Sequence, residues 1–230
     1  MITLRKSSER GHFNFGWLDT YHSFSFGDYH DPNHMGFRTL RVINEDVIEP
    51  GQGFPLHGHR DMEIVTYILK GELEHRDSLG NVGKIKRGEL QRMTAGTGIR
   101  HSEYNASPTE PCHLLQIWLL PEAKNLEPGY EQKVIPFTGD PLKLIAAPAS
   151  VRAPLKINQD VKVFVGHLKS QQALSLHLEK NRHTWIQIAS GRMLINDEKV
   201  EAGDGVAISD EDHIHLNSIS DCEFLLFDLN

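Results

Sequence analysis

Cysteine is scarce in this sequence, with only Cys112 and Cys222 among 230 residues. The two lie far apart and do not form a spacing typical of a metal or redox motif. This argues against a disulfide-stapled fold and against a thiolate metal site. We expect two reduced thiols in a cytoplasmic protein.

Long hydrophobic runs and basic runs are also missing. The longest apolar stretches, such as residues 114–120, are far too short to span a bilayer, and the first residues lack the apolar core of a secretory signal. The formal net charge of −7 argues against nonspecific attraction to nucleic acid or to an anionic membrane surface. We therefore expect no direct nucleic acid binding, no membrane association and, by default, a monomer.

Sustained helical periodicity is lacking as well. Short alternating segments, rich in β-branched and aromatic residues, are separated by glycine turns, as in residues 63–77 and 184–198. This pattern predicts an all-β protein built from sandwiches or barrels. Only a few short helices are expected, near 121–130 and 168–174. Six of the eleven prolines lie between Pro121 and Pro154 and none follows. Because such a stretch cannot form a long helix or a central strand, we predict that it connects two halves of the chain.

The two halves that flank the prolines look like one structural unit used twice. The same offsets from two turn glycines carry similar residues: His57, His59 and Glu63 precede Gly71, and His177, Glu179 and His183 precede Gly191. We predict an N-terminal domain at 1–125, a proline-rich connection at 126–155 and a C-terminal domain at 156–230.

Two short pairs in the first half predict a metal site. Residues two apart on a strand point to the same side of a sheet, so His57 and His59 can aim at one point, as can His101 and Glu103. Two such strands side by side could close a four-ligand site. Three imidazoles and one carboxylate suit a divalent transition metal such as iron, nickel, copper, manganese or zinc. Such a site favours an enzyme over a structural domain.

These motifs resemble those of the cupins. Residues 51–63 match the first cupin motif, with a glycine, His-x-His and a glutamate, and residues 88–105 match the second. Two departures resemble the pirin branch, which includes bacterial quercetin 2,3-dioxygenase-like proteins: Thr94 replaces the usual proline, and two extra residues precede His101. The segments similar to pirins are GWLD at 16–19, FSF at 24–26, DPNHMGF at 31–37, ELEHRD at 72–77 and MTAGTGIRHSE at 93–103.

The resemblance implies a bicupin, with two double-stranded β-helix (jelly-roll) barrels packed face to face. It implies that His57, His59, His101 and Glu103 hold one divalent transition metal, with iron expected and nickel, copper, manganese and zinc left open. The implied activity is cleavage of flavonols such as quercetin by dioxygen, with release of carbon monoxide and with Glu103 as a catalytic base. The alternatives are a metal- or redox-sensing pirin that binds a transcription regulator without turnover, and a cupin isomerase or lyase.

Other residues are expected to surround this site. Glu63 competes with Glu103 as the carboxylate ligand, and we favour Glu103, with Glu63 supporting the ligands or the structure. Tyr67, Met93, Leu115 and Ile117 alternate with polar neighbours and are candidates for the cavity lining or for positions behind it, with ordinary core packing as the favoured alternative for each. Gly96 and Gly98 are expected to re-aim the chain so that His101 enters the barrel. The remaining histidine clusters are His12, His22, His30 and His34, of which at most one reaches the pocket mouth, and His177, His183, His213 and His215, where we expect no metal.

Overall fold

Almost every regular element of the protein is a β-strand. The computed structural model describes residues 1–136 and 139–230. The first twelve strands are β1 (Ile2–Arg5), β2 (Gly11–Asn14), β3 (Leu18–His22), β4 (Leu40–Ile48), β5 (Gly53–His59), β6 (Glu63–Lys70), β7 (Glu72–Asp77), β8 (Val82–Lys86), β9 (Glu89–Thr94), β10 (Ile99–Asn105), β11 (Cys112–Leu119) and β12 (Gly129–Val134). The other ten are β13 (Leu142–Ala147), β14 (Leu155–Lys156), β15 (Val161–Leu168), β16 (Ala173–His177), β17 (His183–Ser190), β18 (Arg192–Ile195), β19 (Glu198–Glu201), β20 (Gly205–Ser209), β21 (His213–Ser218) and β22 (Cys222–Leu229).

The strands form two similar barrels, each made of one large and one small sheet. Barrel 1 combines a seven-stranded sheet, ordered β12-β9-β6-β11-β4-β3-β2, with a four-stranded sheet, β5-β10-β7-β8. Barrel 2 combines β1-β20-β17-β22-β15-β13-β14 with β16-β21-β18-β19. The chain therefore folds as a bicupin of two jelly rolls, as the motifs and the glycine spacing predicted.

The turn glycines used to align the two halves have matching structures. Gly71 follows β6 with φ +82°, and Gly191 follows β17 with φ +84°. A Cβ at Gly71 would lie 2.8 Å from the Pro111 carbonyl oxygen, and a Cβ at Gly191 would lie 2.1 Å from that of Asp221. Only glycine fits both the left-handed backbone and the close approach of the residues that enter the neighbouring strands β11 and β22.

The strand pairing crosses the expected domain limits. β1, at the start of the chain, pairs with β20 of barrel 2. Within the proline-rich stretch, β12 is an edge strand of barrel 1, whereas β13 and β14 belong to barrel 2. An edge position agrees with prolines on both sides of β12, because proline cannot donate to a central strand pair. The domain limits themselves remain a prediction.

The two short helices predicted from the sequence were wrong. Residues 121–128 form bends before β12, and only the turn at 169–172 separates β15 from β16. Pro121 and Pro128 interrupt the first segment, and the second is too short for a helix between two strands. In the described ranges the one helical element is a single 3₁₀ turn at Ser7–Glu9, so these ranges contain no helix long and apolar enough to cross a bilayer.

The largest hydrophobic cluster lies between the two large sheets. It joins Tyr67, Leu115 and Ile117 of barrel 1 to Trp185 and Phe227 of barrel 2. A second cluster fills the interior of barrel 2 with aliphatic and aromatic side chains. Barrel 1 has two smaller apolar clusters instead. It also encloses a cavity, which contains the candidate site.

Candidate metal centre

Two neighbouring strands of barrel 1 bring three histidines to one point. His57 and His59 lie on β5, and His101 lies on β10, directly opposite His57 in the strand register. Ring nitrogens of the three side chains all lie within 4.8 Å of one another. His59 Nε2 and His101 Nε2 are 2.9 Å apart. We call these three residues the histidine triad.

The loop before His101 has the features that its glycines predicted. Gly96 has φ +47° and Gly98 has φ +141°. A Cβ at Gly96 would lie 2.0 Å from the Leu126 carbonyl oxygen, so a larger residue cannot be accommodated there. The strand that follows pairs with β5 through an irregularity between His101 and Glu103, and both of these side chains are buried.

Hydrogen bonds orient two rings of the triad. The Pro55 carbonyl oxygen lies 2.8 Å from His57 Nδ1 and can only accept, so His57 Nδ1 carries the proton and Nε2 keeps its lone pair. Asp77 Oδ2 lies 3.0 Å from His75 Nε2, and His75 Nδ1 lies 3.4 Å from His101 Nδ1. When Asp77 accepts the proton of His75 Nε2, His75 Nδ1 can accept from His101 Nδ1, and this leaves His101 Nε2 free.

His75 is a site residue that sequence reasoning missed. It is fully buried, and its ring stacks on Tyr130 with a centroid distance of 4.5 Å. It belongs to the same short segment, ELEHRD, that carried part of the pirin resemblance. The signal was therefore present as a family motif, but no pair spacing marked the residue as part of the site.

The triad suits a divalent transition metal. Burial, followed by the proximity of His57, lowers the pKa of His59 to about 4. Burial and the neighbouring histidines also hold the pKa of His101 well below its ordinary value. The two rings are thus neutral at pH 7, which is the form that binds metals. Two nitrogens bonded to one ion at about 2.0–2.1 Å lie about 2.9 Å apart when their bonds make a right angle, and this matches the His59–His101 separation.

Glu103 lies beside the triad, but His101 is the one triad member in the cluster that contains its carboxylate. In that cluster the possible ligand atoms of His75, His101 and Glu103 lie within 4.8 Å of one another. Gln116 Nε2 donates to Glu103 Oε2 at 2.9 Å, whereas Oε1 is buried with no hydrogen-bond partner in the described part of the chain. Burial, and then the charge of Asp46, raise the pKa of Glu103 to about 7. An adjacent divalent cation would satisfy Oε1 and favour the carboxylate form.

The triad opens into a cavity of about 510 Å³ inside barrel 1. Its mouth is aromatic, with Phe13, Phe15, Trp17, Phe26 and Phe54. Trp118 packs edge-on against His59, with ring centroids 4.9 Å apart. Among the described residues that line the cavity there is no lysine or arginine. The cavity therefore suits a neutral aromatic molecule of about the size of three fused or linked rings.

Three predicted cavity residues face the other way. Tyr67, Leu115 and Ile117 lie in the cluster between the barrels, and the Tyr67 hydroxyl donates to Glu223 Oε1 at 2.6 Å. Their neighbours on the same strands, Ile64, Gln116 and Trp118, line the cavity instead. These three residues have the ordinary core packing that was the favoured alternative for each. The cavity position was wrong by one residue of strand phase, because both faces of these central strands are buried.

Glu63 and Met93 also lie outside the cavity lining. Glu63 accepts from the backbone and side-chain nitrogens of Asn158, both at 3.2 Å. It therefore ties barrel 1 to the segment that leads into barrel 2, which agrees with the structural one of the two roles predicted for it. Met93 packs in a cluster with Ile64 and Ile99, against Trp118, so it supports the cavity wall from behind.

A polar patch on the cavity wall was missed apart from His22, one of the four N-terminal histidines of which one was left open as reaching the pocket. Thr20 and His22 on β3 lie opposite Asp46 and Asn44 on β4, and all four side chains are buried and line the cavity. We call these four residues the polar wall. Burial raises the pKa of Asp46 to about 7 and lowers that of His22 to about 4. The signal was the polar pair Asn44 and Asp46 in β4, at alternate positions whose neighbours in the same phase, Val42 and Ile48, are apolar.

The histidines of barrel 2 do not enter its interior. His177 and His213 are directly opposite each other on β16 and β21, but both are exposed, as is His215. His183 donates to or accepts from the Ser209 hydroxyl at 2.7 Å. The interior positions of β21 are taken by Ile214 and Leu216.

Comparisons with known proteins match both halves of the chain. A family model described as Pirin matches residues 3–119, and one described as Quercetinase C-terminal cupin domain matches residues 144–229. A protein of Escherichia coli strain K12 named quercetin 2,3-dioxygenase is 49% identical over 229 residues, which cover 100% of this chain and 99% of that protein. A pirin-like protein of Caulobacter vibrioides is 37% identical, with 99% of each chain covered.

A solved structure with the same fold contains a metal. The crystal structure of the bacterial pirin YhhW from Escherichia coli, in complex with nickel(II), matches with a TM-score of 0.95 and 50% identity. The match covers 100% of this chain and 99% of that one.

Proposed function

The chain belongs to the pirin family, and from that premise we propose that it is a dioxygenase that cleaves flavonol-type aromatics. One divalent transition metal would be held by His57, His59 and His101, with Glu103 as a fourth donor. Iron is the ion we expect from the resemblance. Nickel is the ion bound by the Escherichia coli relative. The name of the K12 relative supports the substrate class.

One observation carries this proposal: three imidazoles converge in the wall of an aromatic cavity. The triad nitrogens lie within 4.8 Å of one another, and the cavity of about 510 Å³ has room for a flavonol. A structural metal site is closed by its protein ligands, whereas a catalytic site keeps positions open. His57 and His59 are only partly buried, which leaves access from the cavity.

The protein residues have separate tasks in this reaction. When bound, the metal supplies Lewis acidity toward a phenolic oxygen and the redox chemistry needed for dioxygen. Gln116 holds one carboxylate oxygen of Glu103. The other oxygen would either remain a donor to the metal or leave it to accept the proton of the substrate hydroxyl. The aromatic mouth limits the entry of water, which protects reactive species. One flavonol and one dioxygen give the ring-opened ester and carbon monoxide.

Turnover in air tests the proposal directly. Protein loaded separately with iron, nickel, copper or manganese is incubated with quercetin, while flavonol absorbance and headspace carbon monoxide are followed. We expect loss of quercetin with stoichiometric carbon monoxide in at least one loaded form, and none in His101→Ala. Glu103→Gln should bind metal but turn over at least about 100-fold more slowly. His213→Ala is the matched control and should behave as the wild type.

Failure would take a recognisable form. Metal binding at the triad without carbon monoxide from any loaded form would contradict the dioxygenase and favour a metal-responsive binding protein. Product formation that persists without oxygen would favour an isomerase or lyase. Turnover that survives in both His101→Ala and Glu103→Gln would place the chemistry elsewhere.

A further inference from the structure

The polar wall of the cavity consists of two cross-strand pairs with different hydrogen bonding. In the first pair, Thr20 Oγ1 donates to Asp46 Oδ1 at 2.5 Å, so the two side chains satisfy each other. The second pair, His22 and Asn44, is directly opposite in the register of β3 and β4. Their side chains are 6% and 4% exposed. His22 Nδ1 and Asn44 Oδ1 are both buried without a hydrogen-bond partner in the described part of the protein.

Four such atoms lie around the cavity. They belong to residues that line it: His22 Nδ1, Asn44 Oδ1, Glu103 Oε1 and Trp118 Nε1. Burying a polar atom without a partner is unfavourable, so native proteins contain few of them. Their grouping in one cavity indicates that a ligand supplies the missing partners.

The chemistry of the pair selects the ligand group. Asn44 Oδ1 can only accept a hydrogen bond. His22 is neutral at pH 7, because burial lowers its pKa to about 4, so its Nδ1 either donates or accepts according to the tautomer. A hydroxyl is a small neutral group that can donate to Asn44 Oδ1 and accept from His22 Nδ1 when that nitrogen carries the ring proton. A carboxylate or phosphate cannot donate, and no lysine or arginine of the described cavity lining would neutralise it.

The surroundings of the pair favour a hydroxyl that is attached to a planar ring. Phe26 packs edge-on against His22 with ring centroids 5.3 Å apart, and Phe13 lies 5.5 Å from the same ring. Aromatic rings favour offset or edge-on contact with a further aromatic ring. The hydroxyl is therefore expected to belong to an aromatic ring.

We propose that His22 and Asn44 form a subsite that holds a phenolic hydroxyl of the substrate at a ring position other than the one that reacts at the histidine triad. The subsite rests on the proposed function, since it assigns a role to a second part of the same substrate. It makes polyphenols, rather than simple 3-hydroxyflavones, the substrate class of the cavity. His22 and Asn44 are positioning residues, because they lie on the strand pair β3 and β4, whereas the triad lies on β5 and β10.

Binding to metal-free protein tests the subsite without any chemistry. Calorimetric titrations compare quercetin with 3-hydroxyflavone, which keeps the hydroxyl at the reacting position and lacks the others. We expect the wild type to bind quercetin at least about tenfold more tightly. Asn44→Leu and His22→Leu should each reduce that ratio to about twofold or less, with the affinity for 3-hydroxyflavone kept within about threefold.

A matched variant separates the subsite from a structural role. Thr39→Val removes another buried hydroxyl that has no partner in the described part of the chain, but Thr39 does not line the cavity. It should leave the quercetin preference unchanged. Asn44→Leu should not lower the melting temperature, because it replaces an unsatisfied amide by an apolar group of similar size. If one variant fails to fold, the other still tests the pair.

Turnover measurements distinguish the two proposals. With metal-loaded protein, Asn44→Leu should raise KM for quercetin about tenfold and change kcat by less than about threefold. A preference lost in the metal-free titrations, with no turnover in the wild type, would support the subsite and contradict the dioxygenase. A quercetin preference that is absent in the wild type, or unchanged in both Asn44→Leu and His22→Leu, would overturn the subsite even if flavonols are cleaved.

Discussion

Both barrels place two histidines directly opposite each other on the same two strands of the small sheet, yet only one pair faces a cavity. In barrel 1 the pair is His57 and His101, and in barrel 2 it is His177 and His213. His101 is 1% exposed, whereas both histidines of barrel 2 are on the outer surface. His177 Nδ1 and His213 Nε2 are nevertheless only 3.3 Å apart. Similar pairing thus produces a buried site in one barrel and a surface feature in the other.

The difference is one of strand phase. Successive side chains on a strand point to opposite faces, so a shift of one residue moves a whole set from the interior to the surface. In β10 the odd-numbered residues from Ile99 to Asn105 are buried, whereas in β21 the even-numbered residues from Ile214 to Ser218 are buried. The inward residues of β21 complete an apolar interior, and those of β10 form the site. Barrel 1 differs from barrel 2 in that its interior is partly polar and partly open, which is what a metal centre requires.

The largest predicted effect is the difference between removing one histidine from the pair in barrel 1 and removing one from the pair in barrel 2. His101→Ala should weaken metal binding by more than about 100-fold and reduce turnover to background, because a ligand contributes more than its supporting residues. His213→Ala should change both quantities by less than about twofold. Metal content per chain and carbon monoxide release measure the two outcomes. Equal losses in the two variants would mean that the barrels share the site.

The next effect concerns pH and the polar wall of barrel 1. The folded pKa of His22 is about 4, below the unfolded value of 6.5, so the unfolded chain binds more protons between these pH values. The stabilising contribution is complete above pH 6.5 and is lost as pH falls toward 4, by up to about 3 kcal/mol. His22→Leu should lack this loss. Denaturant unfolding of metal-free wild type and variant at pH 7 and pH 4.5 measures the difference, with Asn44→Leu as a control that should follow the wild type.

A smaller effect tests the support of His101. His75→Phe keeps a ring that can stack on Tyr130 but removes the hydrogen bonds to His101 and Asp77. Since none of the residues described in the apolar interior of barrel 2 is a counterpart of His75, the loss should appear only at the triad. We expect metal to bind about 10- to 100-fold more weakly, with the fold retained by circular dichroism. An unchanged dissociation constant would show that His75 does not orient His101.

The smallest effect tests the contact between the barrels. Tyr67→Phe removes the hydroxyl that donates to Glu223, while Arg87 Nη2 remains 2.5 Å from Glu223 Oε2. We expect the free energy of unfolding to fall by about 1 kcal/mol, with metal content and turnover unchanged. A loss of turnover without a loss of stability would contradict this assignment and indicate that Tyr67 acts in the cavity.

Some of this arrangement could be read from the sequence, and the limits have a physical reason. His57, His59 and His101 could be grouped from the sequence because inward and outward side chains alternate along β5 and β10. Glycines also mark the loop before His101. The phase of β6 and β11 was not readable, since one face packs inside barrel 1 and the other against barrel 2. Burial on both faces removes the polar alternation that would distinguish them. That is why Tyr67 and Ile117 were assigned to the cavity in place of Gln116 and Trp118.

The polar residues inside barrel 1 were hidden for a different reason. Asn44 and Asp46 occupy inward positions of β4 where an apolar residue is the ordinary choice. Their significance depends on β3, which presents Thr20 and His22 opposite them. Such partners across a sheet come from pairing that a single sequence does not reveal.

Locating the metal itself is the most direct test of the central claim that the histidine triad of barrel 1 is the metal centre. Crystals of protein loaded with one equivalent of nickel or iron are measured at the absorption edge of that metal. We predict one anomalous peak at about 2.0–2.3 Å from ring nitrogens of His57, His59 and His101. A main peak between His177 and His213, on the surface of barrel 2, would contradict the account.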